Sequence, residues 1–133
     1  MLAHNSRGAA FGDLDNDGGL DIIVVNRDGP VYLLANQAAG RGHWIMFRVL
    51  DEHGRDALGA VVTGVVNGRT MRRDVQTAYS YCSANDPRVH FGLGDAQSIN
   101  HVTVRWVDGS TSSFGDFDAG HIATLRRSAG TAQ

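Results

Sequence analysis

Residues 60–76 read AVVTGVVNGRTMRRDVQ, and this stretch decides the fold class. Two runs typical of strands, Ala60–Val66 and Thr70–Gln76, flank the pair Asn67-Gly68. Because asparagine and glycine both tolerate positive φ, this pair is a strong signal for a two-residue hairpin turn. The stretch therefore predicts an antiparallel β-hairpin.

Runs of the same kind recur along the rest of the chain, each closed by Gly, Asn or Asp. They are Asp21–Asn26, Val31–Leu34, Trp44–Leu50, Arg88–Phe91, Asn100–Val107, Thr111–Phe114 and Ile122–Arg126. Within one of them, Val102, Val104 and Trp106 share a face, as expected of a sheet that is covered on one side.

Helical periodicity does not persist for three turns anywhere, so we expect at most one short helical turn. The predicted fold is all-β, an antiparallel β-sandwich or a flattened barrel.

Composition excludes several classes of partner. The chain has 133 residues, of which 42% are hydrophobic and 20% charged, and its formal net charge is -2. We therefore expect no nucleic-acid partner. No apolar stretch is long enough for a membrane helix, and the N-terminus lacks the apolar core of a signal peptide, so no membrane partner is expected. The single cysteine, Cys82, excludes an intrachain disulfide and is expected to be a buried structural thiol.

The sequence DLDNDGGLD, residues 13–21, has the most specific pattern of potential metal ligands in the chain. Calcium prefers roughly six to eight oxygen ligands, and alternate aspartates on a tight loop can direct their carboxylates to one point. Gly18 permits the required turn. The predicted Ca²⁺ ligands are the side chains of Asp13, Asp15, Asp17 and Asp21 and the backbone carbonyl of Gly19.

This loop is not an EF-hand. Val24 stands at the twelfth position, where an EF-hand has a bidentate glutamate, and a β-type run follows in place of a helix. Four carboxylates in so short a stretch repel one another, so a bound cation would stabilise the folded loop. The alternative is an Asp-rich turn whose side chains hydrogen-bond their own backbone and bind no ion tightly.

Two families resemble different parts of the chain. RGAAFGDLDNDGGLDIIVVN, residues 7–26, resembles a single FG-GAP (VCBS) repeat, the calcium-loop blade unit of integrin-type β-propellers. GRDALGA (54–60), NDPRVHFGLG (85–94) and VTVRWVDGS (102–110) resemble the ASPIC/UnbV domain that often follows such repeats. The resemblance implies a partial repeat with a β-hairpin over 1–37 and a β domain over 43–127. The remaining residues, 128–133, are small and polar and are expected to form a flexible tail. The small residues 38–42 are the predicted boundary.

What the resemblance implies about function is limited. In the FG-GAP family the metal ligands correspond to the five residues named above, which favours Ca²⁺ as the cofactor, and the family context implies a secreted or cell-surface protein. A single repeat cannot close a propeller. Either the chain is a fragment, or the repeat packs on the C-terminal sheet or on a second copy of the chain, which makes a homo-oligomer one expected arrangement.

Two further groups of residues are weaker candidates. Asp86, Arg88 and His90 could perform acid–base work in an accessory protein of biosynthesis, although a turn and an ion pair are the more common explanation of such a group. A carbohydrate or anionic ligand could bind to the arginines and tyrosines of residues 69–81. The members of that group are Arg69, Arg72, Arg73, Tyr79 and Tyr81.

The sequence thus predicts a calcium-stabilised, non-enzymatic β module for binding or structural roles. Its ligand would be a protein or a glycan. The alternatives are a carbohydrate-recognition module and the accessory protein with a site near Asp86.

Overall fold

The computed structural model describes residues 5–37 and 42–132, and both ranges are all-β apart from one 3-10 turn, Arg127–Ala129. The strands of this described part are β1 (Ser6–Gly12), β2 (Asp21–Asn26), β3 (Tyr32–Leu34), β4 (His43–Leu50), β5 (Val61–Val66), β6 (Arg69–Asp74), β7 (Val89–Gly94), β8 (Ser98–Arg105), β9 (Thr111–Asp118), β10 (Ile122–Arg126) and β11 (Thr131–Ala132). The chain divides into an N-terminal unit, which contains residues 5–37 and Thr77–Asp86, and a C-terminal unit, which contains residues 42–76 and 87–132.

The N-terminal unit contains a three-stranded antiparallel sheet in the order β1-β2-β3. Ile22 pairs with Phe11 on one side and with Leu34 on the other, so three apolar side chains form a row across the sheet. The sequence runs included β2 and β3 but not β1. The reason is that SRGAAFG consists largely of small residues with low strand preference.

The segment Thr77–Asp86 also belongs to the N-terminal unit. The Asp86 N–H donates to the carbonyl of Phe11 at 3.0 Å, and the Phe11 N–H donates to Asn85 Oδ1 at 2.7 Å. The sequence assigned this segment to the domain over 43–127. Its hydrogen bonds to β1 place it instead with the strands from the beginning of the chain.

The C-terminal unit contains the other two sheets. One has five strands in the order β11-β9-β8-β5-β6, and the other has three strands in the order β10-β4-β7. Their buried faces share one apolar core, in which Phe47 and Phe91 meet edge to face at 5.8 Å between ring centroids. Both sheets are open across the described residues, so the β-sandwich prediction is confirmed and the flattened barrel is not.

Local predictions in this unit are confirmed. Asn67 and Gly68 have φ values of 49° and 74°, and they join β5 to β6 in an antiparallel hairpin. Val102, Val104 and Trp106 are all buried in the core, as their alternation predicted.

One strand departs from the antiparallel prediction. β10 runs parallel to β4, with Ile122 beside Met46 and Arg126 beside Leu50. β7 already pairs with the other edge of β4. The turn before β10 delivers the chain to the beginning of β4, where the Gly120 N–H donates to the Trp44 carbonyl at 2.6 Å. A strand that starts there must run in the direction of β4.

The structure describes residues 128–132 of the predicted flexible tail. Thr131 pairs with Ser113, so the end of the chain forms strand β11 on the edge of the five-stranded sheet. Gly130 makes this approach feasible, because a Cβ at that position would lie 2.6 Å from the Cβ of Ser112. Gln133 lies outside the described residues, as do residues 38–41 of the predicted boundary.

Candidate metal centre

The acidic loop connects β1 to β2 in the N-terminal unit. Gly12 and Asp21 are paired across the sheet, which holds the two ends of the loop side by side. Asn16 and Gly18 take positive φ values of 61° and 87°, so the intervening chain coils tightly. The local sequence therefore returns the last aspartate of the motif to the neighbourhood of the first.

Three carboxylates converge in this loop. Oxygen atoms of Asp13, Asp15 and Asp21 all lie within 4.8 Å of one another. Asp13 is only 1% exposed and Asp21 only 5% exposed, whereas Asp15 is open to solvent. Two buried carboxylates beside a third carboxylate form an oxygen-only donor set, which is the kind that a hard cation such as Ca²⁺ prefers.

Backbone amides hold the two buried carboxylates in place. Asp13 accepts hydrogen bonds from the Asp17 N–H at 3.1 Å and the Gly18 N–H at 2.9 Å. Asp21 accepts from the Leu14 N–H at 2.9 Å and the Asn36 N–H at 2.8 Å. These bonds orient the carboxylates and offset part of the cost of burying them. They are also what the alternative prediction, an Asp-rich turn that caps its own backbone, requires.

The remaining predicted ligands behave differently. Asp17 is exposed and is not part of the three-residue cluster; its Oδ1 accepts the Gly19 N–H at 2.8 Å. Gly19 itself is buried. The sequence did not identify Asn36, whose backbone N–H donates to Asp21 from 15 residues away. No local signal marks this residue, since any amide at that place in the fold could donate.

The predicted ligand-binding group is spread over both units. Arg69, Arg72 and Arg73 are exposed on β6 of the C-terminal unit, and Tyr79 and Tyr81 are exposed in the N-terminal unit.

Two of these arginines already have partners within the C-terminal unit. Arg72 pairs with Asp74 at 2.7 Å, and Arg73 donates to the His90 carbonyl at 2.9 Å. The guanidinium of Arg73 also lies 5.3 Å from the ring centroid of Phe91.

The group Asp86, Arg88 and His90 is likewise spread over the two units, with Asp86 in the N-terminal unit and the other two residues in the C-terminal unit. The His90 ring stacks on Trp44 at 6.3 Å between centroids.

The prediction for Cys82 is wrong, because its side chain is exposed. Cys82 lies in a turn with φ of 48°, outside every strand, so no sheet covers it.

Comparison with known families gives one match. No curated protein matches the chain. No helix in the described part of the chain is long and apolar enough to cross a membrane. The family model described as ASPIC and UnbV matches residues 51–132, and it does not extend to residues 7–26, where the FG-GAP resemblance stays a prediction. Because the match covers more than half of the 133 residues, the chain belongs to the ASPIC and UnbV family.

Proposed function

We propose that this chain is a non-enzymatic β module whose acidic loop binds Ca²⁺, and that the ion stabilises the sheet of the N-terminal unit. The observation that carries the proposal is the convergence of Asp13, Asp15 and Asp21 within 4.8 Å, with two of the three carboxylates buried. Asp17 and the Gly19 carbonyl are further ligands that the FG-GAP resemblance implies. We also propose, as that resemblance implies, that the module serves in a secreted or cell-surface protein.

Electrostatics supports this proposal. The three clustered carboxylates repel one another at close range, and the buried pair is poorly screened by solvent. A divalent cation at their centre would attract each carboxylate and so offset their mutual repulsion. Because the cluster depends on the pairing of β1 with β2, the ion binds the folded chain and shifts the unfolding equilibrium towards it, by about 2.7 kcal/mol when the free ion is at about 100 times Kd.

Calorimetric titration of the EDTA-dialysed chain with CaCl₂ tests the proposal, together with melting curves in Ca²⁺ and in EDTA. We expect one binding event and a higher Tm in Ca²⁺. Asp13→Asn should abolish both effects, because it removes a buried carboxylate from the cluster. The matched control is Asp28→Asn, which removes an exposed carboxylate elsewhere in the N-terminal unit. Absence of both heat and Tm shift in the unmodified chain would reject Ca²⁺ and leave the self-capped turn.

A glycan ligand is the second candidate function, and the exposure of Tyr79 and Tyr81 favours it. Exposed aromatic rings can stack on the apolar faces of sugars. A glycan array probed with the unmodified chain and with a Tyr79→Ala, Tyr81→Ala double variant tests this function. Hits that the double variant loses would support it, and an array without hits would remove it.

A further inference from the structure

A groove of about 630 Å³ lies on the C-terminal unit, and the proposed calcium site does not account for it. The groove is formed by the loop that follows β4, the turn between β8 and β9, and Arg127, the first residue of the 3-10 turn after β10. All of its lining residues lie within the segment that matches the ASPIC and UnbV family. It is therefore a surface of the family domain itself.

The apolar part of the groove consists of Leu58 and Val107. They are 51% and 72% exposed, and they are the exposed large hydrophobic side chains among the described residues of the C-terminal unit. Every other large aliphatic side chain described in that unit is buried or partly buried, so their meeting in one groove marks an apolar contact surface. The backbone bonds Leu58 N–H to Asp56 O and Gly59 N–H to Val75 O, both 2.8 Å, hold this loop in a defined shape.

The polar part of the groove is mainly acidic. Four carboxylates and two guanidiniums line it, which gives a net charge of -2. Arg127 lies 5.5 Å from the ring centroid of Trp106 and donates to Asp108 at 2.5 Å and to Glu52 at 3.4 Å. The side chains of Glu52 and Asp108 are nevertheless more than half exposed, so both can accept a further cation.

We propose that this groove binds a peptide segment of a partner protein in which a basic residue lies beside an apolar one. The apolar side chain would contact Leu58 and Val107, and the basic side chain would pair with Glu52 and Asp108. Charge complementarity selects the basic residue, because the groove carries an excess of two negative charges. A peptide suits the site better than a small amine, because both apolar side chains are more than half exposed, whereas small-molecule sites enclose most of their ligand.

An NMR titration of the ¹⁵N-labelled chain tests the proposal with four probes. These are the acetylated, amidated peptides Leu-Lys-Leu, Leu-Glu-Leu and Gly-Lys-Gly, and hexylammonium chloride. We expect Leu-Lys-Leu to shift the amide signals of Leu58, Val107 and Asp108, and to bind at least about fivefold more tightly than the other three probes. Equal binding of Leu-Glu-Leu would overturn the charge argument. Equal binding of hexylammonium would overturn the assignment to a peptide, and no shift with any probe would overturn the site.

Two variants locate the binding in the groove. Val107→Ser and Glu52→Gln each change an exposed side chain, and each should weaken Leu-Lys-Leu binding at least about fivefold while the dispersed spectrum of the folded chain persists. Val31→Ser is the matched control, because it removes an exposed valine from the N-terminal unit, and it should leave Kd unchanged. Unchanged binding by both groove variants would overturn the proposal.

Discussion

Asp108 has a lowered pKa in the folded chain. Hydrogen bonds from the Ser110 hydroxyl and the Arg127 guanidinium, in that order of size, lower its pKa from the ordinary 3.8 to about 2. A carboxylate whose pKa is lower in the folded than in the unfolded chain stabilises the fold above the unfolded pKa. That contribution is lost as the pH falls through the folded value. Arg127 stays protonated over this whole pH range, so the titration of Asp108 determines the pH at which the contribution is lost.

We therefore predict that Asp108→Asn lowers the free energy of unfolding at about pH 5. The difference in this free energy between the variant and the unmodified chain should shrink as the pH falls towards about 2. Urea unfolding midpoints of both proteins across this range measure the deficit. Asp28→Asn serves as the control for loss of an exposed charge. A deficit that stays constant down to the lowest pH would show that the hydrogen bonds to Asp108 do not depend on its ionisation.

At the scale of elements, strand β1 depends on the segment Thr77–Asp86. The side chain of Asn85 is buried; its Oδ1 accepts the Phe11 N–H at 2.7 Å, and its Nδ2 donates to the Thr77 carbonyl at 3.0 Å. The amide group thus takes the place of a neighbouring strand near the C-terminal end of β1.

We predict that Asn85→Ala destabilises the N-terminal unit by about 1–3 kcal/mol, because it leaves the Phe11 N–H without its acceptor. Native-state hydrogen exchange should show about tenfold or greater loss of protection at that amide, with little change in β5 or β8. Ser80→Ala, an exposed change in the same segment, is the control. Equal loss of protection in both variants would contradict a specific role for Asn85.

The elements that the sequence predicted best are those that local chemistry determines. Asn67-Gly68 specifies its own turn, and the alternation of Val102, Val104 and Trp106 specifies which face of β8 and the turn after it is buried. The bond between Phe11 and Asn85 joins residues 74 positions apart, and nothing in either local sequence indicates it. The parallel direction of β10 is similarly hidden, since it depends on the hydrogen bond that places Gly120 beside Trp44 at the beginning of β4.

The same distinction applies to the candidate metal centre. The spacing of aspartates in DLDNDGGLD indicated a cluster, and three of the four carboxylates do converge. Which three converge was not visible, because that depends on the φ values of Asn16 and Gly18 and on the amide of Asn36. The tyrosine and arginine candidates were grouped by proximity in sequence. The chain passes from the C-terminal unit to the N-terminal unit between Gln76 and Thr77, so the arginines and the tyrosines belong to different units.

At the scale of the whole molecule, exposed apolar side chains concentrate in the sheet of the N-terminal unit. β3 pairs with β2 along one edge, and its Leu33 and Leu34 are more than half exposed. Residues 29–37 contain no charged side chain, so the strand lacks the charges that usually discourage pairing between sheet edges. Two copies could pair here without bringing like charges together.

We predict that the chain self-associates reversibly through β3 and that Leu33→Asp shifts it to the monomer, because a buried, unpaired carboxylate would lie at the interface. Sedimentation velocity over a concentration series measures the equilibrium. Leu58→Asp is the matched control, since Leu58 is similarly exposed but lies in the C-terminal unit. A monomer at every concentration, or equal effects of both substitutions, would contradict self-association through this edge.

The membership of Thr77–Asp86 in the N-terminal unit also imposes an order on biosynthesis. A ribosome releases β1, β2 and β3 first, yet the peptide that supplies the acceptor for the Phe11 N–H is translated some fifty codons after Leu34. Until then the sheet of the N-terminal unit has an incomplete edge while β4, β5 and β6 are already emerging. Domains of nascent chains usually mature from the N-terminus onwards. In this chain the first unit to appear is completed only after the second has begun to form.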